Sequence, residues 1–262
     1  MLHKGRPRGR KSRAPEVVAH RGGGKEAPEN TWAAVEHTVA LGLRWMETDL
    51  HVTSDGVVIL WHDPSFQRVS DQPVLIGQQT WREVSRQDVG DGRPPVRLDD
   101  VLYAFPDLHL NIDLKVSEVV QPALQVVRVA GALERVRFAS FSARRLAVLR
   151  RQEQRATTSV GTSDVAGLLL RAEWGLPLPR TRWSWVQSRS KVDCVQVPTA
   201  HRGIPVVTER FVAAAHRYGL EVHVWTVDDP AEMERLAALN VDALITDVPT
   251  VALEVMGRTE RA

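Results

Sequence analysis

Apolar and polar residues follow two patterns that succeed each other repeatedly along this chain from residue 16 onward. Short runs rich in β-branched residues predict buried strands, and longer segments with apolar residues every three or four positions predict amphipathic helices. The eight predicted strands are Glu16–His20, Trp45–Val52, Leu108–Leu114, Val136–Ser140, Ala156–Val160, Val192–Val197, Glu221–Trp225 and Ala243–Thr246. The eight predicted helices are Thr31–Leu41, Asp99–Phe105, Glu118–Ala130, Ala143–Gln152, Asp164–Glu173, Thr208–Tyr218, Pro230–Leu239 and Pro249–Val255.

The number of strand–helix pairs predicts the architecture. Strands that alternate with helices are typical of βαβ units and a parallel sheet. Eight such pairs within residues 16–257 match the count and size of a TIM-like (β/α)8 barrel, an α/β fold in a single domain. A doubly wound sheet is the alternative.

Two segments are longer than a minimal barrel connection needs. Long loops without secondary structure are uncommon unless they are functional, and loops after barrel strands build the active site. Residues 53–97 therefore predict a small insertion after the second strand, and residues 174–191, which contain three tryptophans, predict another. The elements predicted in the first insertion are a turn at Asp55-Gly56, a strand over Val57–Trp61 and a helix over Trp81–Gln87.

Composition and charge narrow the class of protein. With 43% hydrophobic and 25% charged residues the chain is globular, which excludes a wholly disordered or collagen-like protein. The net charge is +2, but residues 1–15 hold six basic residues and no acid, so the rest carries 28 basic and 32 acidic residues. We expect residues 1–15 to be a disordered basic tail whose charge would allow weak contact with anionic membranes. Nucleic-acid binding is not expected, because the barrel itself is not basic.

Targeting and redox features predict the compartment. No apolar stretch reaches the roughly 18 residues of a membrane span, and the basic start is not followed by an apolar signal region. Cys194 is the single cysteine, so neither an internal disulfide nor a cysteine-based zinc site is expected. We therefore expect a protein of the reducing cytoplasm without a transmembrane segment.

The first strand ends in a candidate phosphate-binding loop. His20-Arg21 is followed by three glycines, which allow a backbone to approach a ligand closely. The guanidinium of Arg21 has the fork geometry that suits phosphate oxygens. His20 is a candidate acid–base residue, or else a histidine that caps a carbonyl group at the strand end.

Two acidic residues on the second strand predict a cation site. Glu47 and Asp49 are two positions apart and therefore project from the same face of the strand. Unpaired, the two carboxylates would repel and raise each other's pKa, whereas a hard divalent ion would hold both. The alternative is a polar strand edge that faces solvent.

Three further residues extend this candidate site. His62 follows the strand predicted after the Asp55-Gly56 turn, where a second imidazole could face the same mouth as His20. Asp113 and Lys115 share one face of the third predicted strand. Asp113 is a candidate metal ligand and Lys115 a candidate phosphate contact; as a salt-bridged pair they would be merely structural.

Together these stretches closely resemble the glycerophosphodiester phosphodiesterase family. The matching motifs are His20-Arg21-Gly22, Pro28-Glu29-Asn30-Thr31, Glu47-x-Asp49, Thr53-x-Asp55-Gly56 and His62-Asp63, with weaker matches at Pro95-x-x-Leu98, Trp225-Thr226-Val227 and Asp242 to Pro249. The resemblance covers about residues 16–255. It implies a TIM-like barrel, a divalent metal, and hydrolysis of glycerophosphodiesters to an alcohol and sn-glycerol 3-phosphate.

The resemblance also implies a role for each site residue. The implied metal ligands are Glu47, Asp49 and Asp113, the implied phosphate contacts are Arg21 and Lys115, and the implied acid–base pair is His20 and His62. Trp225 would pack against the glycerol carbons, or else serve as a core residue of the barrel rim.

Two positions depart from the family pattern. The family usually has Glu where this chain has Asp113, and the shorter side chain favours Mg²⁺ over Ca²⁺, although Ca²⁺ remains an alternative. The family usually has Asn where this chain has Asp228, which we interpret as the N-cap of the following helix. Two other functions stay open at this point: lysophospholipase D-like cleavage of lysophospholipids, and a catalytically dead barrel that binds polyanions. The alcohol head group and the oligomeric state are not predicted.

Overall fold

The computed structural model describes residues 14–70, 73–173 and 191–259. Its strands are β1 Glu16–His20, β2 Trp45–Val52, β3 Val58–Leu60, β4 His109–Leu114, β5 Val136–Ala139, β6 Thr157–Ser159, β7 Lys191–Pro198, β8 Ala200–His201, β9 Ile204–Pro205, β10 Glu221–Trp225 and β11 Ala243–Thr246. Its α-helices are α1 Trp32–Ala40, α2 Gln67–Ser70, α3 Trp81–Val84, α4 Leu98–Ala104, α5 Val120–Val129, α6 Ala143–Gln152, α7 Thr162–Glu173, α8 Glu209–Arg217, α9 Pro230–Ala238 and α10 Pro249–Thr259. Short 3-10 helices lie at Ile76–Gln78 and Leu133–Arg135.

Eight parallel strands close into a barrel. Their order is β1, β11, β10, β7, β6, β5, β4, β2, and β1 pairs with both β11 and β2. Because no edge of the parallel sheet is left open, the TIM-like barrel is confirmed and the doubly wound alternative is wrong. All eight predicted strands and all eight predicted helices are present, with ends shifted by no more than four residues.

The barrel wall separates an apolar outer core from a polar interior. On β2, Met46 and Leu50 are fully buried in the cluster formed with the surrounding helices, together with Leu102 and Leu124. The alternate positions Glu47 and Asp49 point the other way and line a cavity inside the barrel mouth. The period of two along a strand thus places each carboxylate inside because its neighbours are held outside.

The insertion after β2 folds back on the barrel and carries His62. β3 pairs antiparallel with β2, as the Asp55-Gly56 turn predicts. A small apolar cluster of its own stabilises the insertion: Ile59, Trp61, Phe66, Ile76, Val84 and Val89. Trp61 N donates to Asp49 O at 3.0 Å, so the next residue, His62, is fixed beside the carboxylates of β2.

Several expectations concern residues outside those the structure describes. Of the predicted basic tail, the structure describes only Ala14, which packs against the barrel core, and Pro15, which is buried. The tryptophan-rich segment of residues 174–191 lies outside the described residues except for Lys191, the first residue of β7. Within the described part of the chain, no helix is both long enough and apolar enough to cross a membrane.

Candidate active site

A cavity of about 440 Å³ opens at the carboxyl ends of the barrel strands. The structure places all eight sequence-predicted site residues in its wall: His20, Arg21, Glu47, Asp49, His62, Asp113, Lys115 and Trp225. This is the end of the barrel at which TIM-barrel enzymes carry their active sites.

Strand register brings the carboxylates together. β1 pairs with β2 so that His20 lies beside Glu47, and β2 pairs with β4 so that Asp49 lies beside Asp113. Residues 27 and 64 positions apart in sequence therefore lie side by side at the mouth of the barrel.

The β1–α1 loop positions Arg21 through an unusual backbone. Arg21 and Gly22 both have positive φ, 52° and 83°. A Cβ atom on Gly22 would lie 2.5 Å from Ala34 Cβ and 2.7 Å from Ala34 O, so only glycine fits there. Arg21 Nη1 contacts both carboxylate oxygens of Glu29, at 3.1 and 3.0 Å, and Arg21 Nε lies 3.1 Å from Asp49 Oδ2. The guanidinium is thus held at the rim of the cavity.

Both candidate catalytic histidines contact a carboxylate through Nδ1. His20 Nδ1 lies 2.6 Å from Asp247 Oδ1, and His62 Nδ1 lies 2.8 Å from Asp63 Oδ1. Burial lowers the pKa of His20, but the hydrogen bond to Asp247 and the charge of Glu47 outweigh burial, and the net shift is upward. With Nδ1 engaged, Nε2 is the nitrogen left for substrate in each ring; His20 Nε2 lies 3.8 Å from Glu47 Oε2.

The three acidic residues have very different surroundings. Burial and the neighbouring charge of Asp49 raise the pKa of Glu47 to about 8. Burial would also raise the pKa of Asp49, but the charges of Lys115 and Arg21 hold it below its ordinary value. Burial raises the pKa of Asp113 despite its bond with Lys115. The three buried carboxyl groups thus outnumber the two basic side chains, Arg21 and Lys115, that lie beside them.

Lys115 lies between two of the acids. Its Nζ is 2.8 Å from Asp49 Oδ1 and 2.7 Å from Asp113 Oδ2. The other oxygen of Asp113, Oδ1, is buried and accepts no hydrogen bond from any described residue. The pairing of Asp113 with Lys115 that the sequence left open is thus present, and it leaves one oxygen of Asp113 available.

The donor set fits a hard divalent cation in its chemistry. Glu47, Asp49 and Asp113 offer only oxygen atoms, which hard divalent cations prefer, and the buried Asp113 Oδ1 has no hydrogen-bond partner among the described residues. As the side chains stand, no group of three or more such residues among those described is close enough to hold an ion. The ammonium of Lys115 lies between two of the candidate ligands, Asp49 and Asp113.

Comparison with known proteins settles the family. The model of the glycerophosphoryl diester phosphodiesterase family matches residues 20–251. The chain belongs to this family. It is therefore an enzyme of the phosphodiesterase class, and the resemblance inferred from its motifs is confirmed.

Individual relatives support this membership. A probable glycerophosphodiester phosphodiesterase 2 of Mycobacterium tuberculosis is 35% identical over 232 residues, which cover 88% of this chain and 86% of that protein. The human lysophospholipase D GDPD1 is 35% identical, but over only 39% of this chain and 37% of that protein.

Solved structures show the same barrel. A putative glycerophosphodiester phosphodiesterase of Galdieria sulphuraria matches with a TM-score of 0.76 and 26% identity, over 95% of this chain and 100% of that one. An Oleispira antarctica phosphodiesterase in complex with sn-glycerol-3-phosphate matches with a TM-score of 0.74 and 19% identity, over 93% and 97% of the two chains.

Sequence reasoning missed several residues that organise this phosphodiesterase site. Asn30 is fully buried and donates from Nδ2 to Asp49 Oδ2 at 3.1 Å. Asp63 accepts from Arg68 Nε at 2.8 Å, and Arg68 also pairs with Glu29. Three of these residues belong to the family motifs quoted from the sequence, which were the signal available for them.

The interpretation of Asp228 as a helix N-cap is wrong. The N-cap of α9 is the next residue, Asp229, whose side chain accepts from Glu232 N. Asp228 instead accepts from Thr246 Oγ1 at 3.0 Å and from Asp247 N at 2.8 Å. A side chain at the end of one strand can bond to the next strand as readily as to its own helix, and sequence does not distinguish the two.

Part of the cavity wall is aromatic. Trp225 and Phe141 meet edge to face, with ring centroids 5.7 Å apart. Lys115 Nζ lies 6.0 Å from the centroid of Phe141, so this ring borders the charged part of the cavity. Trp225 is only half-buried, so it offers an apolar contact to a ligand while it packs against the rim.

Proposed function

We propose that this enzyme hydrolyses glycerophosphodiesters to an alcohol and sn-glycerol 3-phosphate, with His20 and His62 as its acid–base pair. The observation that carries this proposal is the pair of imidazoles in one cavity, each held at Nδ1 by a carboxylate. The family of the chain and the product bound to the Oleispira antarctica phosphodiesterase support the substrate class.

The two histidines would divide the proton transfers. The resemblance implies attack of the glycerol 2-hydroxyl on phosphorus, which gives a cyclic phosphate that water later opens. One imidazole takes the hydroxyl proton at Nε2, and the other gives a proton to the oxygen of the leaving alcohol. Positioned proton transfer of this kind is typically worth about 10²–10⁴ in rate.

Positive groups at the cavity would stabilise the phosphate. Arg21 and Lys115 are the candidate contacts to its oxygens, where charge grows in the transition state. Glu47, Asp49 and Asp113 would hold a divalent cation, with Mg²⁺ favoured over Ca²⁺. When bound, such an ion supplies Lewis-acid stabilisation of the phosphoryl oxygens.

The apolar wall bears on the second candidate function. Trp225 would pack against the glycerol carbons, and the neighbouring ring of Phe141 adds to the apolar surface of the same cavity. A lysophospholipid carries its acyl chain on the glycerol side, so this wall also favours lysophospholipase D-like activity. The similarity to the human relative named lysophospholipase D, over 39% of this chain, also supports this second candidate.

A comparison of two phosphodiesters that contain choline tests these functions. Choline release is measured with glycerophosphocholine and with lysophosphatidylcholine, each with and without EDTA, and sn-glycerol 3-phosphate is measured for the first. Turnover of glycerophosphocholine that EDTA abolishes supports the proposal. Turnover of lysophosphatidylcholine alone supports the second candidate, and no turnover of either supports the polyanion-binding alternative.

The cellular location and the membrane contact of this protein remain predictions. The free thiol of Cys194 is buried, which suits the predicted cytoplasmic location. Contact of the basic tail with anionic membranes concerns residues 1–13, which lie outside the described part of the chain.

A further inference from the structure

Asp247 is the partner of His20, and neither sequence pattern nor family resemblance gave it a role. It follows β11, whose pairing with β1 sets Thr246 beside Ala19 and therefore brings Asp247 to the level of His20. The distance from His20 Nδ1 to Asp247 Oδ1 is 2.6 Å, and both side chains are largely buried, at 17% and 21% exposed.

Asp247 is itself held from two sides. Its backbone N donates to Asp228 Oδ1 at 2.8 Å, and its backbone O accepts from Lys25 N at 3.1 Å. Asp228 Oδ2 in turn pairs with Lys25 Nζ at 2.9 Å. A Cβ atom on Gly24 would lie 3.1 Å from Asp247 Oδ1, so the glycine leaves room for this carboxylate.

We infer that Asp247 is a positioning residue for His20, and that Asp228 and Lys25 form the support that holds Asp247 in place. A carboxylate at Nδ1 selects the imidazole tautomer with its proton on Nδ1 and fixes the rotation of the ring. Nε2 is then unprotonated and directed at the reacting atoms in the neutral ring. This inference rests on the proposed acid–base role of His20.

The ion pair between Asp228 and Lys25 connects the loops around Asp247. Three connections meet at this point: β1–α1 through Lys25, β10–α9 through Asp228 and β11–α10 through Asp247. The exposed ammonium of Lys25 contributes little stability by itself. Its contact with Asp228 instead joins the first of these connections to the second, which bonds to the backbone of Asp247.

A double-mutant cycle between His20 and Asp247 tests the inference on full-length enzyme. We expect Asp247→Ala to lower kcat for glycerophosphocholine about 10²-fold with KM nearly unchanged, because the loss falls on proton transfer. In the His20→Ala background the same change should alter kcat less than about twofold, since Asp247 acts only through that ring. Asp247→Asn keeps an oxygen for Nδ1–H and should recover part of the loss.

Variants of two neighbouring aspartates test whether Asp228 holds Asp247 in place. We expect Asp228→Ala to lower kcat more than Asp229→Ala, the matched control, which removes only the N-cap of α9. Thermal melts of each variant separate lost positioning from lost stability, and Asp247→Asn preserves the test if Asp247→Ala does not fold.

The outcomes are distinguishable. An inactive His20→Ala enzyme beside an Asp247→Ala enzyme of normal kcat would overturn the inference alone. Equal losses from Asp247→Ala in both backgrounds would show a role independent of His20 and would also overturn it. A His20→Ala enzyme with normal kcat would instead refute the proposed role of His20, and the inference with it.

Discussion

Replacing Gly22 by alanine would add one methyl group at the point where the β1–α1 loop touches α1. Gly22 has a φ of +83°, and its added Cβ would lie 2.5 Å from Ala34 Cβ and within 2.8 Å of the Ala34 carbonyl group. Ala34 is fully buried in α1 and cannot move aside without displacing the helix. Two separate costs therefore apply, one from the backbone conformation and one from the clash.

The two costs can be estimated separately. A non-glycine residue in the left-handed region costs about 1–2 kcal/mol, and overpacking of a buried contact costs about 1–3 kcal/mol. We therefore expect Gly22→Ala to reduce the free energy of unfolding by about 2–5 kcal/mol. Gly56→Ala is the matched control, because Gly56 has a φ of +88° and nothing within 4 Å of its added Cβ. It should cost about 1–2 kcal/mol only.

Urea unfolding followed by tryptophan fluorescence measures both variants. Ala34→Gly in the Gly22→Ala background should restore only part of the difference, because the carbonyl contacts of residue 34 remain. The loop also carries His20 and Arg21, so Gly22→Ala should lower kcat well beyond Gly56→Ala; a misplacement on the order of 1 Å can cost about 10²-fold. Equal destabilisation by Gly22→Ala and Gly56→Ala would refute the packing argument.

Further predictions concern the metal, the acid–base pair and pH. Asp113→Asn should raise the metal concentration needed for half-maximal activity, whereas Asp113→Glu should retain activity. If Asp113→Asn lowers stability but leaves that metal concentration unchanged, Asp113 is not a metal ligand and only pairs with Lys115. His20→Ala and His62→Ala should each lower kcat by roughly 10² or more in steady-state assays. The double variant should lose far less than the product of the two losses, and a single variant with near-normal kcat would remove that histidine from the mechanism. In the folded protein the pKa of Glu47 is raised above its unfolded value of about 4.5, to about 8. In EDTA, the contribution of protonated Glu47 to the free energy of unfolding should therefore be fully present below about pH 4.5 and be lost as the pH rises to about 8. The difference in unfolding free energy between wild type and Glu47→Gln should therefore vary across that window, and a difference independent of pH would contradict the raised pKa.

The sequence alone determined the barrel and named eight residues that line its cavity. Strand and helix periodicity predicted β1, β2, β10 and β11 with the ends that the structure shows, because each of these strands is a largely buried run. Short sequence motifs identified the acidic residues, the two histidines, Arg21 and Lys115, because each of these motifs is continuous in the chain. The Asp55-Gly56 turn likewise predicted the antiparallel return of β3.

Only the tertiary structure decided which groups contact each other across strands. Sequence patterns show that Asp113 and Lys115 share a face, but not that Lys115 also reaches Asp49. Asp228 was interpreted from its neighbours along the chain, whereas its partners lie on β11 and in the β1–α1 loop. The side-chain period of a strand tells which face a residue occupies, and barrel closure and register tell which residue of another strand lies opposite. The contact between His20 and Asp247, 227 residues apart in the chain, depends on that closure and could be found only in the folded protein.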